Sequence, residues 1–357
     1  MKLTIIPPIT RTGEYKYSNY LISGLKNKGL HIEIVKNPLF KISNVKILWG
    51  SLFINKLVRN GSIIHNLDNL APFLLKDNGE NKRIMTVMDI APVIFPEIHS
   101  KIMNFDFKKL LPRMIDNSNL IIVPSISTKN DLITYFRTEE NKIQVIPLGI
   151  DNSIFFPELI NQKLTNKYGI QKEYLLYVGT DNPRKNLNNL ILGFSKIFNQ
   201  ISHNLILIGP INRKKLNNFV IKNKDIPENK NEILNRIITP GYVESKDLPS
   251  IYSEASALIF PSLYEGFGFP ALEAMACKTS VITSDNSSLR EVVGSAGIYI
   301  KDPRNPSEIA DKIKEISLNP QLQKKLGKKG VEQSKKFNWD STIKKTIKVY
   351  EEVNYGN

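Results

Sequence analysis

The sequence predicts an α/β chain made of two successive parallel domains. Short apolar runs alternate with stretches of helical spacing along the chain, the pattern of βαβ units. The alternation falls into two series separated by a polar stretch from Asp151 to Lys167. A length of 357 residues suits two cores at roughly 100 to 200 residues per domain.

In the first series, buried strands are expected at Leu3 to Pro7, Ser62 to His65, Ile84 to Met88, Leu120 to Val123 and Ile143 to Pro147. A loop containing Gly13 follows the first of them. Tyr17, Leu21 and Leu25 then recur at four-residue spacing, and Gly29 stops the helix. In the second series, strands are expected at Tyr174 to Val178, Leu205 to Ile208, Ile237 to Thr239, Ala257 to Phe260, Ser280 to Thr283 and Gly297 to Ile300. The expected domains are therefore 1–164 and 165–339. A terminal helix over 340–357, with Ile343, Ile347 and Tyr350 at helical spacing, is expected to pack back on the first domain.

Composition narrows the class. With 41% hydrophobic and 23% charged residues the chain is ordinary globular protein, not a disordered one. No run approaches the ~18 apolar residues of a membrane span. The opening run ends at Pro7-Pro8 and reads as a strand, not a leader, so a cytoplasmic location is expected. Cys277 is the sole cysteine, which excludes an internal disulfide and reads as a small core residue. The +15 net charge favours anionic partners or reflects an AT-rich genome. Residues 1–150 carry 20 of the 49 basic and 12 of the 34 acidic side chains, so the excess is denser in the first half. No recognisable nucleic-acid motif accompanies it.

In open α/β sheets ligands bind beyond the carboxyl ends of the strands. The densest signal there is Phe260-Pro261-Ser262-Leu263-Tyr264-Glu265-Gly266-Phe267-Gly268-Phe269-Pro270-Ala271-Leu272-Glu273-Ala274-Met275-Ala276. A strand ends, a glycine-bearing turn lets backbone approach a ligand, and Pro270 opens a helix whose N–H groups can meet a phosphate. Carboxylates repel phosphate, so Glu265 and Glu273 suit sugar or ribose hydroxyls, which donate to them. The alternative is a plain turn with Glu273 as a helix N-terminal acid. Gly13, after the first strand, is either a further backbone N–H for a phosphate or a turn glycine.

Two glutamates separated by seven residues in E-G-F-G-x-P-x-x-E-A-M-A resemble the signature of the retaining glycosyltransferases of family 4. That resemblance implies the GT-B fold, two Rossmann-like domains facing each other across a cleft. It implies that Glu265 contacts the transferred sugar and Glu273 the donor ribose. Gly266, Phe267 and Gly268 would bind the sugar and phosphate end, with Leu272 near the helix start. Tyr177-Val178-Gly179-Thr180-Asp181-Asn182-Pro183-Arg184-Lys185-Asn186-Leu187 looks like the family's strand, glycine and Arg-Lys-Asn segment, placing Arg184 and Lys185 against a departing diphosphate. Val145 to Asp151 is similar to the interdomain segment. Tyr242 and Val243 fall in its nucleotide-base region. Asp89 lies in a first-domain segment where a histidine normally precedes the aspartate; here that position is Met88.

The function implied is retaining hexosyl transfer from a nucleotide-diphosphate sugar to a glycan or lipid-linked acceptor, with GDP-mannose suggested by the likeness of Phe95-Pro96-Glu97 to mannosyl-transferring members and UDP-glucose and related donors left open. The family favours front-face attack over double displacement through an enzyme carboxylate. No Asp-x-Asp pair is present, so neither metal nor cofactor is expected. A GT-B epimerase or phosphorylase and a binding-only nucleotide-sugar protein stay open as alternatives. His65 reads as a surface or hydrogen-bonded structural residue, and His31, His99 and His203 lack ligand spacing. Lys101 to Met114 mixes apolar residues with four cations, either a helix for an anionic membrane surface or one packing its Phe and Leu inward.

Overall fold

A computed structural model describes residues 2–8, 13–35, 61–67, 73–74, 81–158, 162–170 and 173–355. The chain divides into two compact units, residues 1–149 with 337–357, and residues 150–336.

The first unit holds a parallel sheet of β1 (Leu3–Ile6), β2 (Ile32–Ile34), β3 (Ile63–Asn66), β4 (Lys82–Thr86), β5 (Leu120–Val123) and β6 (Ile143–Val145), in the order β2-β1-β3-β4-β5-β6. The inner strands β1, β3, β4 and β5 are almost wholly buried, as a sheet covered by helices on both faces requires. Ile64, Met85, Ile121 and Val123 form one core with Phe107, Leu111 and Met114. Strand β2 was not expected from the sequence. Its three residues alternate around Glu33 and are half-exposed or exposed at the sheet edge, so it has no buried run to give it away.

The terminal helix Trp339–Tyr355 belongs to this unit. It lies against the helix Gly13–Asn27, where Gly24 permits the contact: a Cβ there would stand 1.9 Å from Ile343 Cδ1. Trp339 stacks on Tyr20 at 4.6 Å between ring centroids, and Lys28 pairs with Asp340 at 2.8 Å.

The second unit repeats the architecture with β7 (Tyr174–Val178), β8 (Asn204–Ile208), β9 (Ile237–Gly241), β10 (Ala257–Phe260), β11 (Val281–Ser284) and β12 (Gly297–Ile300), all parallel, ordered β12-β11-β10-β7-β8-β9. Leu175, Tyr177, Leu205, Leu207, Ala257 and Ile259 pack with Leu190, Phe194, Ile309 and Ile313 of the covering helices. The division between the units falls after Gly149, not after residue 164 as the polar composition suggested. The connecting segment is polar because its ties are polar. Lys167 and Tyr168 bond Asp247 at 2.9 and 2.6 Å, and Ser250 donates to Glu158 at 2.9 Å, so the segment belongs with the second sheet. Cys277 is fully buried in that unit, and burial pushes its thiol up to about 12.

Candidate active site

In the second sheet the chain builds outward from β7 in one direction and, beginning with β10, in the other. The crevice at such a reversal is where open α/β sheets bind ligands. The loops that flank it follow β7 and β10, and they carry Arg184-Lys185 and Glu265.

After β7 a short 3₁₀ turn, Pro183–Lys185, is capped by Asn182, whose side-chain oxygen accepts from Arg184 N at 2.9 Å. Asn186 then adopts φ 60°, a left-handed conformation that asparagine tolerates. The turn aims both cations across the crevice. Lys185 Nζ lies 2.6 Å from Glu265 Oε1 and over the Phe260 ring at 5.1 Å. Arg184 Nη1 is 3.7 Å from Glu265 Oε2 and donates to Tyr264 O at 3.1 Å. Glu265 itself is only 6% exposed. Burial alone would raise its pKa, but the charges of Lys185 and Arg184 and the Lys185 hydrogen bond outweigh it and hold the carboxyl below its ordinary value. Glu265 is thus an ionised carboxylate beside two cations in a largely dry place.

Glu273 sits in the helix Phe269–Ala276, buried, and accepts from Tyr252 OH at 3.0 Å. Burial and this neighbouring carboxylate raise the Tyr252 pKa well above the usual phenol value, so the hydroxyl stays a donor. Gly268 caps the helix at φ 106°, where an added Cβ would meet Leu289 Cδ2 at 2.8 Å. Phe267 is buried edge-on against Phe269 at 5.4 Å. Leu272 is fully buried, so near the helix start it offers backbone only.

Tyr242 is 83% exposed at the end of β9, next to buried Val243. Asp89 and Gly13 belong to the first unit. Asp89 Oδ1 accepts from Ala91 N at 2.9 Å and so opens the turn Ala91–Ile94. Gly13 is the first residue of its helix, not part of the loop expected to hold it, and residues 9–12 lie outside the described residues. As a helix-start residue it still lacks an intrahelical acceptor for its N–H. His65 is fully buried. Its Nδ1 is 2.7 Å from Tyr350 Oη and its Nε2 2.8 Å from Thr86 Oγ1, the structural role anticipated for it.

Sequence reasoning missed the residues that hold the Glu265 loop. Asn186 Nδ2 donates to Pro261 O at 3.0 Å. From the loop after β11, Asn286 Nδ2 donates to Leu263 O at 3.0 Å, Ser287 Oγ accepts from Glu265 N at 3.0 Å, and Ser288 Oγ donates to Glu265 O and Phe267 O, both at 2.9 Å. The signal of Asn286, Ser287 and Ser288 was three polar residues at a strand's carboxyl end, while Asn186 stands in the Arg-Lys-Asn segment already singled out, with no role read for it.

Residues 161–333 match the family described as glycosyl transferases group 1. O-antigen chain mannosyltransferase B of Escherichia coli is 30% identical over 274 residues, covering 75% of this chain and 70% of that protein. The chain belongs to the glycosyl transferases group 1 family. The O-antigen chain mannosyltransferase RfbU of Salmonella typhimurium (strain LT2) is also 30% identical to this glycosyltransferase, over 66% of this chain and 61% of that one. In fold, sucrose-phosphate synthase from Thermosynechococcus elongatus superposes with a TM-score of 0.79 over 99% of each chain at 20% identity. The fold is the GT-B type, with two Rossmann-like sheets. Among the described residues no helix is long and apolar enough to cross a membrane.

Proposed function

We propose that this glycosyltransferase transfers a mannosyl group from GDP-mannose with retention, by front-face attack, to a glycan or lipid-linked acceptor. The observation that carries the chemistry is the buried Glu265 carboxylate held by Lys185 and Arg184 at the reversal point of the second sheet. As the bond from sugar C1 to the diphosphate oxygen breaks, negative charge grows on that oxygen, and the two cations stabilise it. The acceptor oxygen bonds C1 on the same face, and its proton passes to the departing phosphate. Glu265 accepts from the sugar hydroxyls and orients the ring. Glu273, its phenol partner fixed, accepts from the ribose. Mannose is favoured by the names of the two relatives, both O-antigen chain mannosyltransferases.

The reading needs neither a metal nor a cofactor, because side chains supply the positive charge. It places the acceptor at an anionic membrane surface. Ile102 and Phe105 are 52% and 57% exposed, and Lys101, Lys108, Lys109 and Arg113 are exposed as well.

The test is a panel of nucleotide sugars assayed for hydrolysis and transfer with and without EDTA, the product anomer being read by NMR. Turnover of GDP-mannose, unchanged by chelator and with the α configuration kept, is expected. Inversion, or rescue of a chelated enzyme by manganese, would sink the mechanism. Tight binding without turnover would make the chain a binding protein.

A further inference from the structure

We propose that Ser288, seconded by Ser287, is the positioning device that aims two backbone amides of the Glu265 loop at the terminal phosphate of the donor; this rests on the donor reading above. The Ser288 hydroxyl is fully buried and donates to two carbonyls, Glu265 O and Phe267 O, both at 2.9 Å. A trans peptide sets its C=O and the following N–H in opposite directions. Pinning the carbonyls of 265 and 267 toward Ser288 therefore turns the N–H groups of Gly266 and Gly268 to the opposite face of the loop. Neither amide has an acceptor among the described residues. Both belong to glycines, whose missing side chains let an anion come close.

Ser287 locks the same loop from its start. Its Oγ takes the Glu265 N–H at 3.0 Å and donates to Asn286 Oδ1 at 3.1 Å. To do so it holds φ 45°, a strained conformation for serine. Asn286 completes the grip through Leu263 O. Strain kept beside a buried carboxylate, in a loop bonded at four successive points, marks a backbone held in one orientation for a purpose beyond packing. Two fixed N–H groups on one face form an anion cradle. Its ligand class is the β-phosphate of a nucleoside diphosphate, next to the cations that take the leaving charge.

The experiment compares wild type, Ser288→Ala and Ser287→Gly by calorimetry with GDP, GMP, UDP and UMP. Ser288→Ala should weaken the diphosphate about tenfold while the monophosphate stays within about twofold, because only the diphosphate reaches the cradle. In turnover, kcat should fall more than KM rises. Ser287→Gly, which relieves the strained backbone and so keeps the fold if Ser288→Ala does not, should lower the diphosphate preference about threefold. Equal weakening of mono- and diphosphate, or an unchanged ratio in whichever variants fold, would reduce both serines to packing residues and overturn the inference. Wild type that binds neither GDP nor UDP would instead overturn the donor reading, and this inference with it.

Discussion

Glu265 and Glu273 lie eight positions apart in sequence, yet their surroundings divide the labour between them. Glu265 meets two cations in a place shielded from water, so on the proposed mechanism its charge acts where the sugar would react. Replacing it with Gln keeps the shape, removes the charge and strands Lys185 beside an amide. Turnover should fall about 10²- to 10³-fold with nucleotide affinity changed little, as steady-state kinetics beside GDP titration will measure. Glu273 instead accepts from the Tyr252 phenol. Glu273→Gln should weaken GDP binding about tenfold, the worth of one charge-assisted hydrogen bond, and an unchanged dissociation constant would break the ribose assignment. The two glutamates were legible in one contiguous segment, and Arg184 and Lys185 in another. Ser287 and Ser288 were not, since their partners stand more than twenty residues away in sequence and the bonds go to backbone, which has no side-chain signature.

The segment Lys101 to Met114 shows how an element differs from its pattern. It reads as one helix with either an inward or a membrane-facing apolar side. The structure breaks it into the helix Lys101–Phe105, a π turn Asp106–Leu110 and the helix Leu111–Asp116. Pro112 is the reason: it has no N–H for the preceding turn, and its ring crowds the carbonyl four residues back, so the helix widens there. The wider turn divides the apolar residues. Phe107, Leu111 and Met114 go to the core while Ile102 and Phe105 stay outside with the cations. The inward-packing reading thus holds for Phe107 and Leu111 but not for Phe105. The outer residues should bind vesicles containing anionic lipid, each cation near the surface adding about 1 kcal/mol. Cosedimentation should weaken in high salt and weaken again when Lys101, Lys108, Lys109 and Arg113 are changed to Gln. Binding absent at low salt, or indifferent to the four changes, would point to a soluble acceptor.

At the scale of the whole molecule, the terminal helix is tied to the first sheet by a buried polar chain. Tyr350 bonds His65, His65 bonds Thr86, and Thr86 lies 3.3 Å from Tyr17 Oη. Burial lowers the His65 pKa to about 3. An unfolded histidine protonates near pH 6.5, so between about pH 6.5 and 3 the unfolded chain binds one proton more than the folded one. Stability from this group is full above that window and falls by about 1.4 kcal/mol per pH unit within it. Urea unfolding at a series of pH values should show this slope and its loss in His65→Gln. An identical pH dependence in the variant would mean that other groups govern acid unfolding.

The two parallel α/β units, nearly all their strands and the residues that meet at the crevice of the second sheet could be read along the chain alone. These follow from local periodicity and from a motif read along one stretch of chain. The folded arrangement was needed to see that the polar connector after Gly149 belongs to the second unit, that His65 is locked away from solvent beside a tyrosine 285 positions later, and that two serines after β11 bond the Glu265 loop. Each depends on which distant hydrogen-bonding groups are buried together. Buried polar groups must find partners wherever the fold brings them, and that pairing leaves no periodic trace in the chain.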